Sequence, residues 1–111
     1  MKPLICRQWT GAVPKALGEE YQQYLLRTGL ADYQSTEGNR GALLLKRSVP
    51  GAVEFQTLSL WNDIEAIRAF AGDDYSRAVY YPEDNEFLIR KSRLVSHFDV
   101  VFRSLSRELV R

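Results

Sequence analysis

The chain has 111 residues, of which 45% are hydrophobic and 26% are charged. That composition is typical of one globular domain and excludes a disordered chain. Fifteen Lys and Arg residues against fourteen Asp and Glu residues leave a formal net charge of +1, which disfavours nucleic acid as a partner because that partner needs a concentrated basic surface.

Cysteine usage and hydropathy bear on location. Cys6 is the single cysteine of the sequence, so no internal disulfide can form, and a reducing compartment is expected. The apolar stretch near the N-terminus is too short for a signal peptide, and no apolar run is long enough to cross a membrane. We therefore expect a cytoplasmic protein that has no membrane partner.

The first third of the chain predicts a strand and a helix. Residues 4–13, LICRQWTGAV, form an apolar run that is typical of a strand. Pro14 suits the first turn of a helix, and apolar or aromatic residues follow at helical spacing at Leu17, Tyr21, Tyr24 and Leu25. Gly29 is expected to end this helix in the left-handed conformation, and a polar connection is expected over 30–41.

The middle of the chain predicts a hairpin and a second helix. Residues 42–47 and 53–61 are apolar runs on either side of a Pro-Gly turn, which is typical of two antiparallel strands. Asn62 is expected to cap the next helix, with Glu65 completing a capping box and Gly72 ending the helix. Its apolar stripe consists of Ile64, Ile67, Phe70 and Ala71.

The last third predicts a short helix, a strand and a tail. Asp73 or Asp74 can cap a helix that runs through Tyr75, Ala78 and Val79. Residues 94–102 read as the last strand, and residues 104–111 form a tail in which a short helix is left open. The order strand, helix, strand, strand, helix, strand predicts one α+β domain over 1–103. Its fold is a ferredoxin-like split βαβ, an antiparallel four-stranded sheet with the helices on one face.

Both faces of the predicted sheet are apolar. In the third strand, Leu58 and Leu60 alternate with Phe55 and Trp61. Strands that are apolar on both sides are usually buried on both faces, and the helices cover only one. The other face is expected to pair with a second copy of the chain in a symmetric homodimer.

Three parts of the chain carry a resemblance to a known family. They are Trp9 in the first strand, the runs LSLWNDIEAIRAFAG and AVYYPED, and the run VSHFDV near the end. On these residues the chain resembles the dimeric α/β-barrel superfamily, and within it the small antibiotic biosynthesis monooxygenases. The resemblance covers roughly residues 5–101, and it implies that two sheets pair as a barrel.

For the monooxygenase members, the resemblance implies a cofactor-independent reaction of an aromatic or polyketide-like small molecule with dioxygen. Such a reaction needs an apolar cavity, a donor for the enolate oxygen and a base. The chain departs from the better-studied oxygenases at Thr57, where they carry Asn four residues before Trp61. It departs from the haem-degrading relatives at Tyr80 and Tyr81, because they carry an iron-ligand His after the second helix.

We expect that the protein needs no metal, haem, flavin or nucleotide as a cofactor. The sequence has no Gly-rich phosphate loop of the dinucleotide or P-loop kind. One His and one Cys supply few of the ligands that a zinc site uses.

His97 is the single histidine and therefore the candidate catalytic base. It shares its strand parity with Asp99, and this parity is expected to face away from the helices. A structural role is left open as well, with His97 hydrogen-bonded at the dimer interface or in the barrel interior, Trp61 in the core and Arg7 paired with Asp99. The candidate ligand-binding residues are Trp9, Arg7, Trp61, Tyr80, Tyr81 and Asp99.

Two functions remain open from the sequence. The first is a cofactor-independent monooxygenase of an aromatic or polyketide-like small molecule. The second is a non-catalytic dimeric protein that binds a small ligand or is associated with stress. A solvent-open cavity lined by His97 favours the first function, and a sheet face that is packed solid favours the second.

Overall fold

A computed structural model describes residues 3–106 of the chain. A single 3-10 turn, Lys15–Leu17, follows the first strand. The strands and α-helices of the described residues are, in chain order, β1 (Ile5–Pro14), α1 (Gly18–Arg27), α2 (Gly29–Ser35), β2 (Asn39–Val49), β3 (Ala52–Trp61), α3 (Ile64–Ala71), α4 (Asp84–Phe87), β4 (Arg90–Lys91) and β5 (Ser96–Asp99).

The strands form one antiparallel sheet in the order β2-β3-β1-β4, and β5 also pairs with β1. β3 pairs with the whole of β1, from Ile5 opposite Trp61 to Pro14 opposite Ala52. On its other side β1 pairs first with β5 and then with β4, so these two strands are halves of one fourth strand. The helices pack on one face of the sheet, and the predicted ferredoxin-like α+β fold is confirmed.

The hairpin between β2 and β3 is confirmed, and its strands are longer than predicted. They turn at Pro50 and Gly51, and Gly51 has a φ of 75°. A side chain rarely adopts that conformation, which is why glycine suits the third position of this turn.

The polar connection predicted over 30–41 is wrong, because α2 occupies its first half and β2 begins at Asn39. Leu30 and Tyr33 lie one helical turn apart, and both are buried. Their burial against the sheet outweighs the polar residues around them. Gly29 is not left-handed and begins α2; the break between the helices falls at Thr28, whose hydroxyl donates to the Tyr24 carbonyl at 2.8 Å.

The helix α3 has a different cap from the one predicted. The Asp63 carboxylate accepts from the Ala66 N–H at 2.9 Å, whereas the Asn62 N–H continues the strand pairing by donating to the Gly38 carbonyl at 2.9 Å. The predicted capping box from Asn62 is therefore wrong by one residue. Gly72, with a φ of 90°, ends the helix as predicted.

The segment after α3 is irregular, and the helix predicted through Tyr75, Ala78 and Val79 is wrong. We call residues 73–83 the covering segment, because they lie over the cavity described below. Its backbone pairs instead with the region between β4 and β5. The Ala78 N–H donates to the Arg93 carbonyl at 2.9 Å, and the Val95 N–H donates to the Ser76 carbonyl at 2.8 Å.

The fourth strand is interrupted and ends earlier than predicted. Residues 92–95 lie opposite only Trp9 and Thr10, so the chain bulges there and turns towards the covering segment. Beyond Asp99 the described residues of the predicted strand and tail, 100–106, have no regular structure. Residues 107–111 of the predicted tail lie outside the described residues.

The face of the sheet that packs on the helices, the covered face, carries an aromatic core. Tyr21 lies 5.5 Å from Phe55 and 5.1 Å from Phe87 between ring centroids. At the other end of the sheet, Trp61 packs on Tyr33 and Phe70 at 6.0 and 5.7 Å. These contacts fix α1, α2 and α3 on the sheet.

The opposite face, the open face, is apolar and is not covered by the described part of the chain. Leu43 and Phe98 are 59% and 53% exposed. Residues directly opposite in antiparallel strands point the same way, so the strand register places the apolar residues of this face close to one another. These apolar residues are Cys6, Leu43, Leu45, Leu58, Leu60 and Phe98. Among residues 3–106, no helix has the length and apolar character to cross a bilayer.

Candidate functional site

A cavity lies between the covered face and the helices, under the covering segment. Its volume is about 30 Å³, which holds roughly one or two water molecules. The polar residues of its wall include Arg7, Thr57 and the buried Asp84. Six of its lining residues are aromatic, and they are Trp9, Tyr21, Tyr33, Phe70, Tyr80 and Tyr81.

Arg7 is the charged group of β1 that faces the cavity, and it is only 1% exposed. Its guanidinium donates to the carbonyls of Tyr75 and Arg77, the latter at 3.0 Å. It also lies over the Phe70 ring, 5.7 Å from the centroid. Burial lowers the pKa of Arg7, and the Tyr33 phenol offsets part of that effect.

His97 lies directly opposite Arg7 in the sheet. Its Nε2 is 3.1 Å from Arg7 Nη1; because arginine only donates, Nε2 is the acceptor and the ring proton is on Nδ1. Burial, and then the positive charge of Arg7, lowers the pKa of His97, so the ring is neutral at pH 7. The prediction that this strand parity faces away from the helices is wrong, since Phe98 takes that side.

Asp99 and Trp61 are not brought into the cavity. Asp99 is exposed and lies opposite Ile5, so the predicted pairing of Arg7 with Asp99 is wrong; the register gives Arg7 a histidine instead. Trp61 is fully buried in the core, where its indole N–H donates to the Ser59 hydroxyl at 2.9 Å.

Trp9 and Tyr80 are joined across the cavity. The Trp9 indole N–H donates to the Tyr80 hydroxyl at 3.1 Å, and that hydroxyl donates to the Ser92 carbonyl. The Trp9 ring lies over Gly11, where an added Cβ would be 2.7 Å from the ring. Burial raises the pKa of Tyr80, so its phenol is a donor at neutral pH.

Tyr81 and Asp84 fasten the covering segment to the helices. The Tyr81 hydroxyl donates to Asp32 on α2. The buried Asp84 carboxylate accepts from the Tyr21 hydroxyl at 2.7 Å and from the Tyr81 N–H at 2.6 Å. Burial, and then the hydrogen bonds to these carboxylates, raises the pKa of Tyr21 and of Tyr81, so both phenols stay protonated.

Sequence reasoning did not assign the polar wall residues Tyr33 and Thr57 to a site. Their hydroxyls are 3.1 Å apart. Thr57 was noted only as a departure from Asn, and Tyr33 lay in a segment predicted to be a connection. The spacing of Leu30 and Tyr33, one helical turn apart, is the signal that could have found α2 and placed Tyr33 in the core.

The side chains of residues 3–106 give no grouping of three or more His, Cys, Asp or Glu that could hold a metal ion. The histidine is engaged by Arg7, and Cys6 lies on the open face opposite Leu60. The cavity can therefore supply hydrogen-bond donation and the positive charge of Arg7 beside aromatic rings. The Asp84 carboxylate also lines it, and both of its oxygens already accept hydrogen bonds, from Tyr21 and Tyr81.

No protein-family model matches the chain, and no curated protein matches its sequence. Solved structures match over nearly its whole length. A candidate antibiotic biosynthesis monooxygenase from Bacillus cereus is 13% identical with a TM-score of 0.66, and the match covers 94% of this chain and 99% of that one.

Two further matches have stated activities. SnoaB, a cofactor-independent oxygenase from Streptomyces nogalater, is 16% identical with a TM-score of 0.56, covering 95% of this chain and 98% of that one. The heme-degrader MhuD from Mycobacterium tuberculosis is 21% identical with a TM-score of 0.58, covering 92% and 99%. At these identities the matches establish the fold, and the chain has the fold of the antibiotic biosynthesis monooxygenase-like proteins in the dimeric α/β-barrel superfamily.

Proposed function

We propose that the chain is a cofactor-independent monooxygenase of an aromatic or polyketide-like small molecule. The observation that carries the proposal is the aromatic cavity with the buried guanidinium of Arg7 on its wall. The likeness in fold to SnoaB, a cofactor-independent oxygenase, supports it.

The reaction that fits such a site begins with an activated CH₂ group between aromatic rings or carbonyls. Loss of a proton gives an enolate, whose carbon takes up dioxygen as a peroxide. Loss of water then leaves a carbonyl, so that one oxygen atom enters the product and the other leaves as water. The substrate supplies all four electrons, and the protein has to stabilise the enolate.

Arg7 is the group that we assign to this stabilisation. A buried cation interacts strongly with a developing negative charge, because little water screens it. Tyr80 and Tyr81 have raised pKa values and donate hydrogen bonds to Ser92 and Asp32, so they are not bases. We assign His97 the positioning of Arg7, since its Nε2 accepts from Arg7; its role as catalytic base stays a prediction.

The cavity residues do not fit a haem. A haem degrader with this fold holds haem in its active site, and a haem iron needs an axial ligand, often a histidine. His97, the single histidine of the sequence, accepts from Arg7 through Nε2 and is not among the lining residues. The proposed reaction therefore runs on protein groups.

We propose further that the protein is a cytoplasmic homodimer. The support for the dimer is the open face, where apolar side chains of β2 and β3 lie side by side, exposed at Leu43 and Leu45 and half-buried at Leu58 and Leu60. Contiguous apolar patches on a soluble domain usually mark an association surface, and a two-fold interface joins the same patch on both copies. The single cysteine supports a reducing compartment.

One observation favours the second candidate function, a non-catalytic protein that binds a small ligand. His97 does not line the cavity, so the single histidine has no direct path to a ligand. A binding protein needs only the donors and the aromatic wall, whereas an oxygenase also needs a base.

Oxygen uptake with anthrone decides between the two functions. Anthrone has a CH₂ group between two aromatic rings, and its oxidation can be followed by an oxygen electrode and by anthraquinone absorbance. We expect uptake above the uncatalysed rate, one O₂ per anthraquinone, unchanged by added EDTA and reduced at least about 100-fold in Arg7→Gln. No acceleration by the wild-type protein contradicts the monooxygenase and leaves the binding protein.

A further inference from the structure

We propose that the cavity selects a planar aromatic anion that presents two coplanar oxygens, a carboxylate or the enolate of a 1,3-diketone, and binds both oxygens along one edge of Arg7. The inference rests on the proposed function for its site and names the ligand class of that site.

The first step is the charge of Arg7. The residue is 1% exposed, and no carboxylate oxygen of residues 3–106 lies within 4.0 Å of its guanidinium nitrogens. Its partners are two backbone carbonyls and a neutral histidine. Buried charges are ordinarily paired with an opposite charge, and at Arg7 the described residues do not supply one. An anionic ligand in the adjoining cavity would supply this opposite charge.

The second step is the number of donors. A guanidinium has five N–H groups in a fixed planar fork. Nη1 donates to the Tyr75 carbonyl and to His97, and Nη2 donates to the Arg77 carbonyl. That leaves the Nε–H and one Nη2–H without a partner among the described residues, and two coplanar oxygens of a ligand can accept from both.

The third step concerns the groups that surround the guanidinium. Carbonyls of the covering segment hold one side of the guanidinium, and the Phe70 ring lies under its plane. Trp9, Tyr33 and Tyr80 supply flat ring surfaces around the rest of the cavity. Flat aromatic walls beside a planar fork select a ligand whose ring and oxygens share one plane.

A ligand of this size has to enlarge the cavity, whose volume is about 30 Å³. The covering segment is the wall with no regular structure, and Tyr81 fastens it to Asp32 at the exposed rim. Entry of a ring therefore displaces this segment, so binding changes the surroundings of the Trp9 indole, which donates to Tyr80 of the segment.

The test uses the two tryptophan indole N–H signals of the ¹⁵N-labelled full chain. Trp9 lines the cavity and Trp61 does not, so Trp61 is an internal control. The probes are benzoate for a carboxylate, benzoylacetone above its enol pKa for an enolate, and neutral benzamide. We expect at least one of the two anions to shift the Trp9 signal, to leave the Trp61 signal unchanged, and to bind at least about ten-fold more tightly than benzamide.

A pair of arginine variants tests the assignment to Arg7. Arg7→Gln is expected to bring the anion and benzamide within about two-fold of each other. Arg77→Gln removes the same charge from an exposed side chain while keeping its backbone carbonyl, and it should keep the ten-fold preference. If Arg7→Gln does not fold, Arg7→Lys retains the charge without the fork, and it should bind benzoate more weakly than the wild type does.

The preference of the wild-type protein decides the inference without any variant. Equal binding of both anions and benzamide, or binding that leaves the Trp9 signal unchanged, overturns it. Binding of benzoate would assign the two oxygens to a carboxylate, and binding of the benzoylacetone enolate would assign them to a 1,3-diketone. Anion preference without oxygen uptake contradicts the proposed monooxygenase alone, and uptake without anion preference contradicts this inference alone.

Discussion

The two faces of the sheet differ in what they bury. On the covered face, Arg7, Thr57 and Ser59 are buried with aromatic rings, and each takes part in side-chain hydrogen bonds. On the open face, Leu43, Leu45 and Phe98 are exposed and no charged group of the sheet is buried beside them. The buried polar groups of the sheet lie on one side, and the other side offers exposed apolar area for association.

The largest effect is expected on the open face. Leu43→Glu places a charge in the middle of the proposed dimer interface, where it would lose its water without a partner. We expect the wild-type mass to be twice the 12.8 kDa of the chain, and the variant to weaken the dimer by at least about 100-fold. Light scattering over a dilution series measures both.

A matched control lies on the helical side of the molecule. Leu26 on α1 is 45% exposed, and Leu26→Glu makes the same chemical change away from the open face. It should leave the dimer intact. Equal dissociation by both variants, or a monomeric wild type at micromolar concentration, contradicts the assignment of association to the open face.

On the covered face, the largest expected loss is at Asp84. The Asp84 carboxylate offers one oxygen to the Tyr21 hydroxyl and the other to the Tyr81 N–H, and Asp84→Asn keeps only one of these oxygens, so one of the two hydrogen bonds loses its acceptor together with the charge. We expect the free energy of unfolding to fall by about 2–3 kcal/mol, measured by urea denaturation at fixed protein concentration. Glu86→Gln, exposed on the same helix, should change it by less than about 0.5 kcal/mol.

If Asp84→Asn unfolds at the same urea concentration as Glu86→Gln does, the covering segment is not fastened through Asp84. If it instead removes the dimer while Leu43→Glu does not, the division of roles between the two faces is wrong. Both results come from the same pair of preparations.

Sequence patterns identified which residues share a face, but not which face the helices cover. Alternation placed His97 together with Asp99 and apart from Phe98, and the structure keeps that parity. The prediction then put His97 on the open side, because Phe98 and its neighbours look like core. The helices cover the side of β1 that carries Arg7, and β5 is paired so that His97 falls opposite Arg7 and lies on that same side. Pairing register is a non-local property, so the sequence of β5 alone does not reveal it.

Local signals predicted the regular elements and failed where long-range contacts decide. The hairpin turn at Gly51 and the end of α3 at Gly72 follow from backbone freedom at single residues. The covering segment carries local helix-cap signals at Asp73 and Asp74, yet its backbone pairs with Arg93 and Val95. Those partners lie outside any local window, so the cavity they create was not predictable from spacing.

A smaller effect is expected from the pair of His97 variants. His97→Leu removes the acceptor of an Arg7 N–H and leaves that donor unpaired, at about 1–3 kcal/mol of unfolding free energy. His97→Gln offers a carbonyl oxygen in its place and should lose less than about 1 kcal/mol. If His97 positions Arg7, benzoate affinity follows the same order. Normal stability and benzoate binding in His97→Gln, together with abolished oxygen uptake, would establish His97 as the base instead.

The smallest expected effect is a pH dependence that belongs to His97. Arg7 and the Tyr75 ring, whose centroid is 5.4 Å from that of His97, are the groups that face it. The pKa of His97 in the folded chain lies below the ordinary histidine value of 6.5, so just below that pH the unfolded chain binds a proton that the folded chain does not. The stability contributed by the neutral ring is therefore complete above pH 6.5 and is lost as the pH falls below it. The unfolding free energy of the wild type minus that of His97→Gln, measured between pH 7.5 and 5.5, isolates the contribution of the neutral ring. A difference that grows as the pH falls would contradict a neutral His97 that accepts from Arg7.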